Sequence, residues 1–295
     1  MDIDVFNTER PLLFSIAYRM LGSASDAEDV LQDAWVRYRG AGEKTIQSPT
    51  AFATTIVTRL CLDRLKSARA TREQYIGPWL PEPVLTSEVE RPDSVVQRAE
   101  SVTLAFMVLL ETLSPEERAV FLLKDIFEYG HSDIAEMLGI TVDNSRQLLH
   151  RAKARLAEGR PRLTGTAGTR RAVAERFARA FASADVAALT SLLAADVNMW
   201  SDGGGKVSAA RRPLVGRDEV VNFLTGVQRA ARNTGVIRDA SLAIADVNSE
   251  PALVVRVGQR LESLFVLSID GERISAIRVM RNPEKLARID RQLTA

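Results

Sequence analysis

Residues 132–156 constrain the fold of this chain more than any other stretch. Ser132–Leu138 has the apolar spacing of a short helix, Gly139 supplies a turn, and a second helical pattern runs from Thr141, its expected N-cap, to Leu156. Two helices joined at a sharp angle through Gly are typical of the helix-turn-helix, whose second helix enters the major groove of DNA. The pattern therefore predicts a helical domain with a DNA-recognition helix.

The second helix separates apolar from polar side chains. Its spacing predicts a buried face of Ile140, Leu149, Ala152 and Leu156. The other faces carry side chains that can contact base edges or phosphates, namely Asn144, Arg146, Gln147, His150, Arg151, Lys153 and Arg155. Between residues 142 and 162, six Lys or Arg stand against two carboxylates, although the formal net charge of the chain is only +1. A solvated basic helix in an ordinary bundle is the alternative, but the preceding turn pattern favours nucleic-acid binding.

Composition excludes several classes of protein. The length of 295 residues allows two or three domains, and 46% hydrophobic residues are enough for globular cores. No apolar run approaches the length of a membrane span, and the acidic N-terminus has no secretory apolar region. One Cys and two His cannot form a disulfide framework or a dense zinc site. We therefore expect a cytoplasmic protein without a membrane partner, a metal or a cofactor.

The chain divides into blocks of different character. Residues 1–72 and 94–162 have helical patterns, and the second of these blocks contains the helix-turn-helix. Between them, residues 73–93 form a mildly acidic linker with three prolines between Pro78 and Pro83, which favours an extended backbone. In the block from 169 to 295, two helical patterns precede segments rich in β-forming residues: 197–200, 242–247, 252–257, 263–269 and 274–280. This order predicts an α+β domain with a curved antiparallel sheet.

The first block carries a basic stripe of its own. It is formed on one helical pattern by Arg59, Asp63, Arg64, Lys66, Arg69 and Arg72. Two helical modules with basic faces, joined by an extended linker, suit a protein that contacts two DNA elements at once. Once one module is bound, the linker sets the effective concentration of the other module at its own DNA element.

Several motifs resemble one family of transcription factors. Residues 11–72 resemble region two of bacterial sigma factors and residues 100–157 resemble region four, without a substantial region three, as in the extracytoplasmic-function group. Trp79–Pro83, Asp202–Lys206 and Asn282–Leu286 resemble three short motifs of the subgroup that carries a fused SnoaL-like domain. The fold class implied is multidomain: two all-α domains, sigma regions 2 and 4, followed by a C-terminal α+β SnoaL/NTF2-like cone-shaped domain.

The resemblance implies that the chain binds core RNA polymerase and promoter DNA. The polymerase-binding positions would be Asp26, Asp29, Leu31, Gln32 and Trp35, with core packing the alternative for Leu31 and Trp35. The positions near the −10 element would be Arg59, Asp63, Arg64, Lys66 and Arg69, and the loop 40–48 would capture a flipped base. The −35 element would be read by Thr141, Asn144, Arg146, Gln147, His150, Arg151 and Lys153. The acidic linker would follow the basic RNA exit path of the polymerase.

Two positions of the recognition helix depart from the family pattern. Ser145 stands where an apolar residue is usual, and Leu148 replaces a frequent Arg. We expect these departures to alter the −35 preference and the packing of the helix, but not DNA binding itself. A repressor or activator that acts without polymerase is a further alternative.

The C-terminal block raises the question of enzyme activity. SnoaL-like relatives include enzymes that use an Asp and a His, but no His occurs after His150, so we expect no enzyme. A small-molecule enzyme or a ligand sensor fused to a DNA-binding regulator is the alternative.

The loop Asp202, Gly203, Gly204, Gly205 and Lys206 is not a phosphate-binding P-loop, because Val207 follows the Lys. A plain Gly-rich loop and a regulatory loop that contacts the sigma modules or the linker both remain open. The segment from Asn282 to Lys285 is either part of the same contact or the cap of a terminal helix.

Overall fold

The computed structural model describes residues 3–40, 48–73, 75–89, 102–157 and 164–294. The predicted base-capturing loop falls almost entirely outside these ranges. The described residues fall into two compact units. The first unit takes its residues from 1–74, 87–102 and 106–160, and the second from 75–86, 103–105 and 161–295. No helix in the described ranges is long and apolar enough to cross a membrane.

Helices account for most of the described residues before 160. In chain order these helices are α1 (Ile3–Leu21), α2 (Ala24–Gly40), α3 (Pro49–Glu73), the single turn α4 (Thr86–Val89), α5 (Leu104–Leu110), α6 (Pro115–Phe121), α7 (His131–Leu138) and α8 (Val142–Leu156). A π-helical turn, Leu122–Ile126, continues α6. Helices α7 and α8 are joined by Gly139, which has a φ of 68° and so adopts the left-handed conformation that the predicted turn requires. The predicted helix-turn-helix is present.

The two predicted helical modules pack against each other within the first unit. The buried Arg118 of α6 donates to Met20 O, 2.7 Å away at the C-terminal end of α1, and pairs with Glu111 at 2.8 Å. Burial lowers the pKa of Arg118 to about 10, so its guanidinium stays charged near neutral pH. Thr54 of α3 and Tyr129 share a hydrogen bond of 3.1 Å. The sequence indicated two modules separated by a linker, whereas buried polar contacts hold them together in this structure.

The second unit contains a six-stranded sheet. Its strands are β1 (Leu193–Asp202), β2 (Leu214–Val215), β3 (Ala240–Val247), β4 (Glu250–Val257), β5 (Arg260–Asp270) and β6 (Arg273–Met280), in the order β2-β1-β6-β5-β4-β3. The expected purely antiparallel sheet is wrong in one respect, because β1 pairs parallel to β6. A long connection between these strands allows the parallel pairing. The two-residue β2 is too short to leave a pattern in the sequence.

Helices cover the sheet of the second unit. These are α9 (Ala167–Ser183), α10 (Val186–Leu192), α11 (Arg217–Asn233) and the terminal α12 (Pro283–Thr294). The predicted apolar faces of α9 and α10 supply Phe177, Phe181 and Leu189 to a core that also contains Leu224 and Phe265. The predicted fold class, helical regions followed by an α+β domain, is confirmed.

Half of the predicted linker belongs to the second unit. Residues 75–86, here called the linker segment, form neither helix nor strand from 75 to 84, with bends at Ile76 and Gly77. Val84 donates to Asn248 Oδ1 at 3.1 Å and accepts from the Asn248 backbone N–H at 3.0 Å, and Leu85 bridges Val247 of β3. Leu80 and Val84 are buried. The segment is therefore packed on the α+β unit, since both its backbone groups and its apolar side chains have partners there.

The buried stripe of α8 differs from the predicted one. It consists of Ser145, Leu148, Ala152 and Leu156, while the predicted Ile140 and Leu149 are only partly buried. Leu148 packs with Val120, Leu123, Ile134 and Met137. Ser145 Oγ and His131 Nδ1 share a hydrogen bond of 2.9 Å, which satisfies the buried hydroxyl. Both departures from the family pattern therefore point into the core of the first unit, and their effect on the −35 preference stays a prediction.

The burial of Leu148 leads to a stability prediction. Leu148→Ala should destabilise the first unit by about 2–4 kcal/mol, because the truncation leaves a cavity among packed aliphatic side chains. The neighbouring Gln147→Ala, at an exposed position, should change stability by less than about 0.5 kcal/mol. Urea denaturation of the full chain measures both values. Equal midpoints for the two variants would contradict the packing described above.

Candidate nucleic-acid interface and regulatory contact

The exposed face of α8 lies opposite its buried stripe. At 100° per residue, the positions that point away from the core are those of Asp143, Gln147, His150 and Ala154, and all four are exposed. Thr141 caps the helix by accepting from the Asn144 backbone N–H at 3.1 Å, so its hydroxyl is used in the fold. Asn144 is exposed near the helix N-terminus, the end from which recognition helices reach base edges.

The flanks of α8 are tied to carboxylates. The Glu117 carboxylate caps α6 by accepting from the Ser114 backbone N–H at 3.0 Å. It also forms ion pairs with Arg151 at 3.1 Å and with Arg155 at 2.7 Å. Burial opposes ionisation of Glu117, but these hydrogen bonds outweigh it and lower its pKa. On the other flank, Lys153 pairs with Asp125 at 3.0 Å. Arg151 and Lys153 therefore hold α8 against its neighbours through these ion pairs.

Arg146 belongs to the same outer surface but is paired locally. Its guanidinium lies 3.0 Å from Asp143, one turn earlier in α8, and both side chains are largely exposed. Such an exposed pair contributes little to stability. The position of α8 therefore depends little on the Arg146 side chain.

The predicted −10 residues lie on α3. Arg59 Nε donates to Met137 O at 2.8 Å, at the C-terminal end of α7, where a cation is favoured by the helix dipole. Arg64 donates to Asp29 Oδ2 at 3.2 Å and to Asp26 O at 3.0 Å. Lys66 lies 3.7 Å from Glu116, and Asp63 is exposed. Arg69 lies on α3, but its side chain is outside the described part of the structure.

The predicted polymerase-binding residues divide between surface and core. Leu31 is buried and packs in the interior of the first unit, and Trp35 is half-buried against Phe6 with ring centroids 5.3 Å apart. Asp29 and Gln32 are exposed. Val36, one turn after Gln32, is 70% exposed.

The glycine-rich loop and the linker segment meet at the carboxylate of Asp202. This side chain has no solvent exposure. Its Oδ1 accepts from Tyr75 Oη at 2.6 Å, and its Oδ2 accepts from the Leu80 backbone N–H at 2.9 Å and Lys285 Nζ at 2.8 Å. Lys285 also donates to Leu80 O at 2.5 Å. We call these four residues, with Asn282, the linker clamp.

Aromatic rings complete the linker clamp. Lys285 Nζ lies 4.3 Å from the centroid of the Trp79 ring and 4.9 Å from that of Tyr75, a cation–π geometry. Asn282 donates from Nδ2 to Tyr75 Oη at 2.9 Å and accepts from the Glu284 backbone N–H at 3.1 Å. The segment from Asn282 to Lys285 therefore both caps α12 and contacts the linker segment.

The three loop glycines fit because they lack a side chain. A Cβ on Gly203 would lie 2.5 Å from Val207 O, one on Gly204 2.3 Å from Asn282 Nδ2, and one on Gly205 2.9 Å from Ile76 Cδ1. Lys206 forms an ion pair with Glu284 at the start of α12. The loop is therefore a close-contact surface for the linker segment and α12.

Tyr75 is a residue of the linker clamp that the sequence patterns did not indicate. Burial and the hydrogen bond to Asp202 raise the pKa of Tyr75, so the phenol keeps its proton and serves as a donor. Nothing in the local pattern marks this tyrosine, because its partners lie more than 100 residues away.

Comparison with known proteins places the chain in a family. Family models described as Sigma-70 region 2 and Sigma-70, region 4 match residues 5–71 and 103–156. The extracytoplasmic-function (ECF) RNA polymerase sigma factor SigJ of Mycobacterium tuberculosis is 39% identical over 232 residues, which cover 78% of this chain and 74% of that protein. The probable ECF sigma factor SigI of the same organism is 30% identical over 284 residues, covering 95% of this chain and 93% of the relative.

A solved structure resembles the whole chain. The crystal structure of Mycobacterium tuberculosis SigJ matches with a TM-score of 0.75 and 32% identity, covering 97% of this chain and 98% of that one. The chain belongs to the extracytoplasmic-function sigma factors.

The glycine contacts predict the effect of one substitution. Gly204 and Gly258 have similar φ values of 61° and 59°, but only a Cβ on Gly204 meets another residue. Gly258→Ala should therefore cost about 1 kcal/mol for its backbone conformation alone. Gly204→Ala should cost clearly more and should speed hydrogen exchange at the Leu80 amide. Exchange monitored by mass spectrometry or NMR tests this, and equal protection of Leu80 in both variants would contradict the close contact.

Proposed function

We propose that this sigma factor binds core RNA polymerase and promoter DNA through its first unit and is regulated in cis by the linker clamp of its second unit. The observation that carries the regulatory part is the buried Asp202 carboxylate, which holds the linker segment through Tyr75, Leu80 and Lys285. A segment bound in this way is not available to lie along the polymerase. We therefore propose that the clamped form is the inactive one.

The proposed polymerase-binding surface is the exposed side of α2. Asp29 and Gln32 with the exposed Val36 offer polar contacts around an aliphatic centre, which is the usual composition of a binding site. Asp26 and Asp29 also form ion pairs with Arg64. Leu31, and in part Trp35, support this surface from inside.

The proposed promoter contacts belong to α3 and α8. We assign base readout at the −35 element to Asn144, Gln147 and His150, with phosphate contacts from Arg146, Arg151 and Lys153. Near the −10 element we assign Arg59, Asp63, Arg64, Lys66 and Arg69. DNA elements about 25 bp apart are separated by about 85 Å at 3.4 Å per base pair.

That distance requires the first unit to open. A compact unit of about 150 residues has a radius of gyration of only about 15 Å, so α3 and α8 cannot reach both elements while packed together. Arg59 is engaged by Met137 O in the packed form. Promoter binding on the polymerase therefore replaces this contact. The second unit is proposed to regulate rather than to catalyse, and an enzyme that turns over a small molecule remains the alternative function.

Promoter readout is testable with a panel of promoters that differ only in the −35 element. Gln147→Ala should change the ranking of these promoters, with losses of about 1–3 kcal/mol at the preferred sequence, because a base contact is removed. Lys153→Gln should lower transcription about equally on all of them, because a phosphate contact is not sequence-specific. The measurement is run-off transcription with core polymerase. A uniform loss for Gln147→Ala would exclude it from base readout.

The clamp is testable by removing one charge. Asp202→Asn keeps the shape of the side chain but breaks a buried ion pair, a loss on the order of a few kcal/mol. We expect faster exchange at the Leu80 amide and more run-off transcript per sigma factor. The control is Arg212→Gln, which breaks an exposed pair with Glu219 in the same unit and should change neither readout. Faster exchange at Leu80 without a rise in transcript would refute the regulatory proposal.

A further inference from the structure

A cavity of about 280 Å³ lies in the second unit, between α9, α11 and the sheet. Its walls are mainly apolar, formed by Phe181, Phe223, Leu224, Leu242, Val255 and Phe265. Val227, which also lines the cavity, is 42% exposed and marks its opening to solvent. The contacts of the linker clamp lie outside this cavity.

One polar group that lines the cavity lacks a hydrogen-bond partner. The side chain of Gln228 lines the cavity and is 7% exposed, and its buried Oε1 has no hydrogen-bond partner. Folded proteins satisfy nearly all buried polar groups, because an unpaired acceptor loses its hydration without compensation. The acceptor therefore points to a ligand that donates a hydrogen bond.

The charges in the cavity cancel. Glu262 and Arg281 both line it and form an ion pair at 2.6 Å. Burial opposes ionisation of Glu262, but hydrogen bonds from Arg260 and Arg281 outweigh it and lower its pKa. Because the two charges already satisfy each other, the cavity favours an uncharged guest.

We propose that this cavity binds an uncharged, largely apolar molecule, about the size of two fused rings, that donates one hydrogen bond to Gln228. The size follows from comparison, since an apolar cavity of about 150 Å³ accommodates benzene. Two wall residues, Ser201 and Arg281, directly precede Asp202 and Asn282 of the linker clamp. An occupied cavity would therefore act on the clamp, a consequence that rests on the proposed function, whereas binding itself does not.

Matched probes test the binding site on the full chain without polymerase. 1-Naphthol has a hydroxyl donor, and 1-methoxynaphthalene has the same rings without a donor. Titration calorimetry or fluorescence should show tighter binding of 1-naphthol. Gln228→Leu should lower the 1-naphthol affinity about five- to tenfold, the worth of one hydrogen bond, and leave the 1-methoxynaphthalene affinity unchanged. Ala231→Phe, which fills the cavity, should weaken binding of both probes.

The outcomes separate the proposal from its alternatives. Equal affinity of both probes, or 1-naphthol binding that is unaffected by Gln228→Leu, would overturn the donor assignment. Binding of both probes that survives Ala231→Phe in a protein with unchanged circular dichroism would overturn the site. A failure of Asp202→Asn to change transcription would refute cis regulation and leave these binding results untouched.

Discussion

The second unit depends on how the Asp202 carboxylate is paired. A carboxylate without solvent exposure is stable only when its lone pairs are filled by strong donors. Lys285 supplies the opposite charge, while Tyr75 and the Leu80 backbone supply two further donors. Because two of these donors belong to the linker segment, the α+β unit satisfies its own buried charge only when that segment is in place. The need to pair the buried Asp202 carboxylate thus fixes the linker segment, which its composition alone would leave free.

A comparable dependence holds the recognition helix in the first unit. Glu117 caps α6 and at the same time receives Arg151 and Arg155 from α8. Arg151 and Arg155, which the sequence marks as candidates for DNA contact, therefore also hold α8 against α6. A phosphate that binds Arg151 competes with Glu117, so the orientation of α8 and its charge toward DNA are coupled.

Local patterns predicted most of the architecture. Helical spacing and the Gly139 turn located the helix-turn-helix, and alternating β-formers located five strands of the sheet. The same patterns could not predict that β1 lies parallel to β6, or that Tyr75 and Lys285 meet at Asp202, because these contacts join distant parts of the chain. Periodicity also placed Leu149 instead of Leu148 in the buried stripe of α8 and missed Ser145, because a hydroxyl is a poor core candidate until a partner such as His131 is known.

The first unit brings promoter-contacting and polymerase-contacting candidates into one electrostatic network. Arg64 of α3 pairs with Asp26 and Asp29 of α2, so any partner that binds those carboxylates competes for their cation. A polymerase surface that replaces Arg64 at Asp29 would leave this guanidinium available to a DNA phosphate. The exposed pair is weak, with exposed fractions of 33% and 59%, so the exchange costs little. If the proposed sites are correct, binding to the polymerase and readiness to bind the promoter would be two consequences of the same exchange of ion-pair partners.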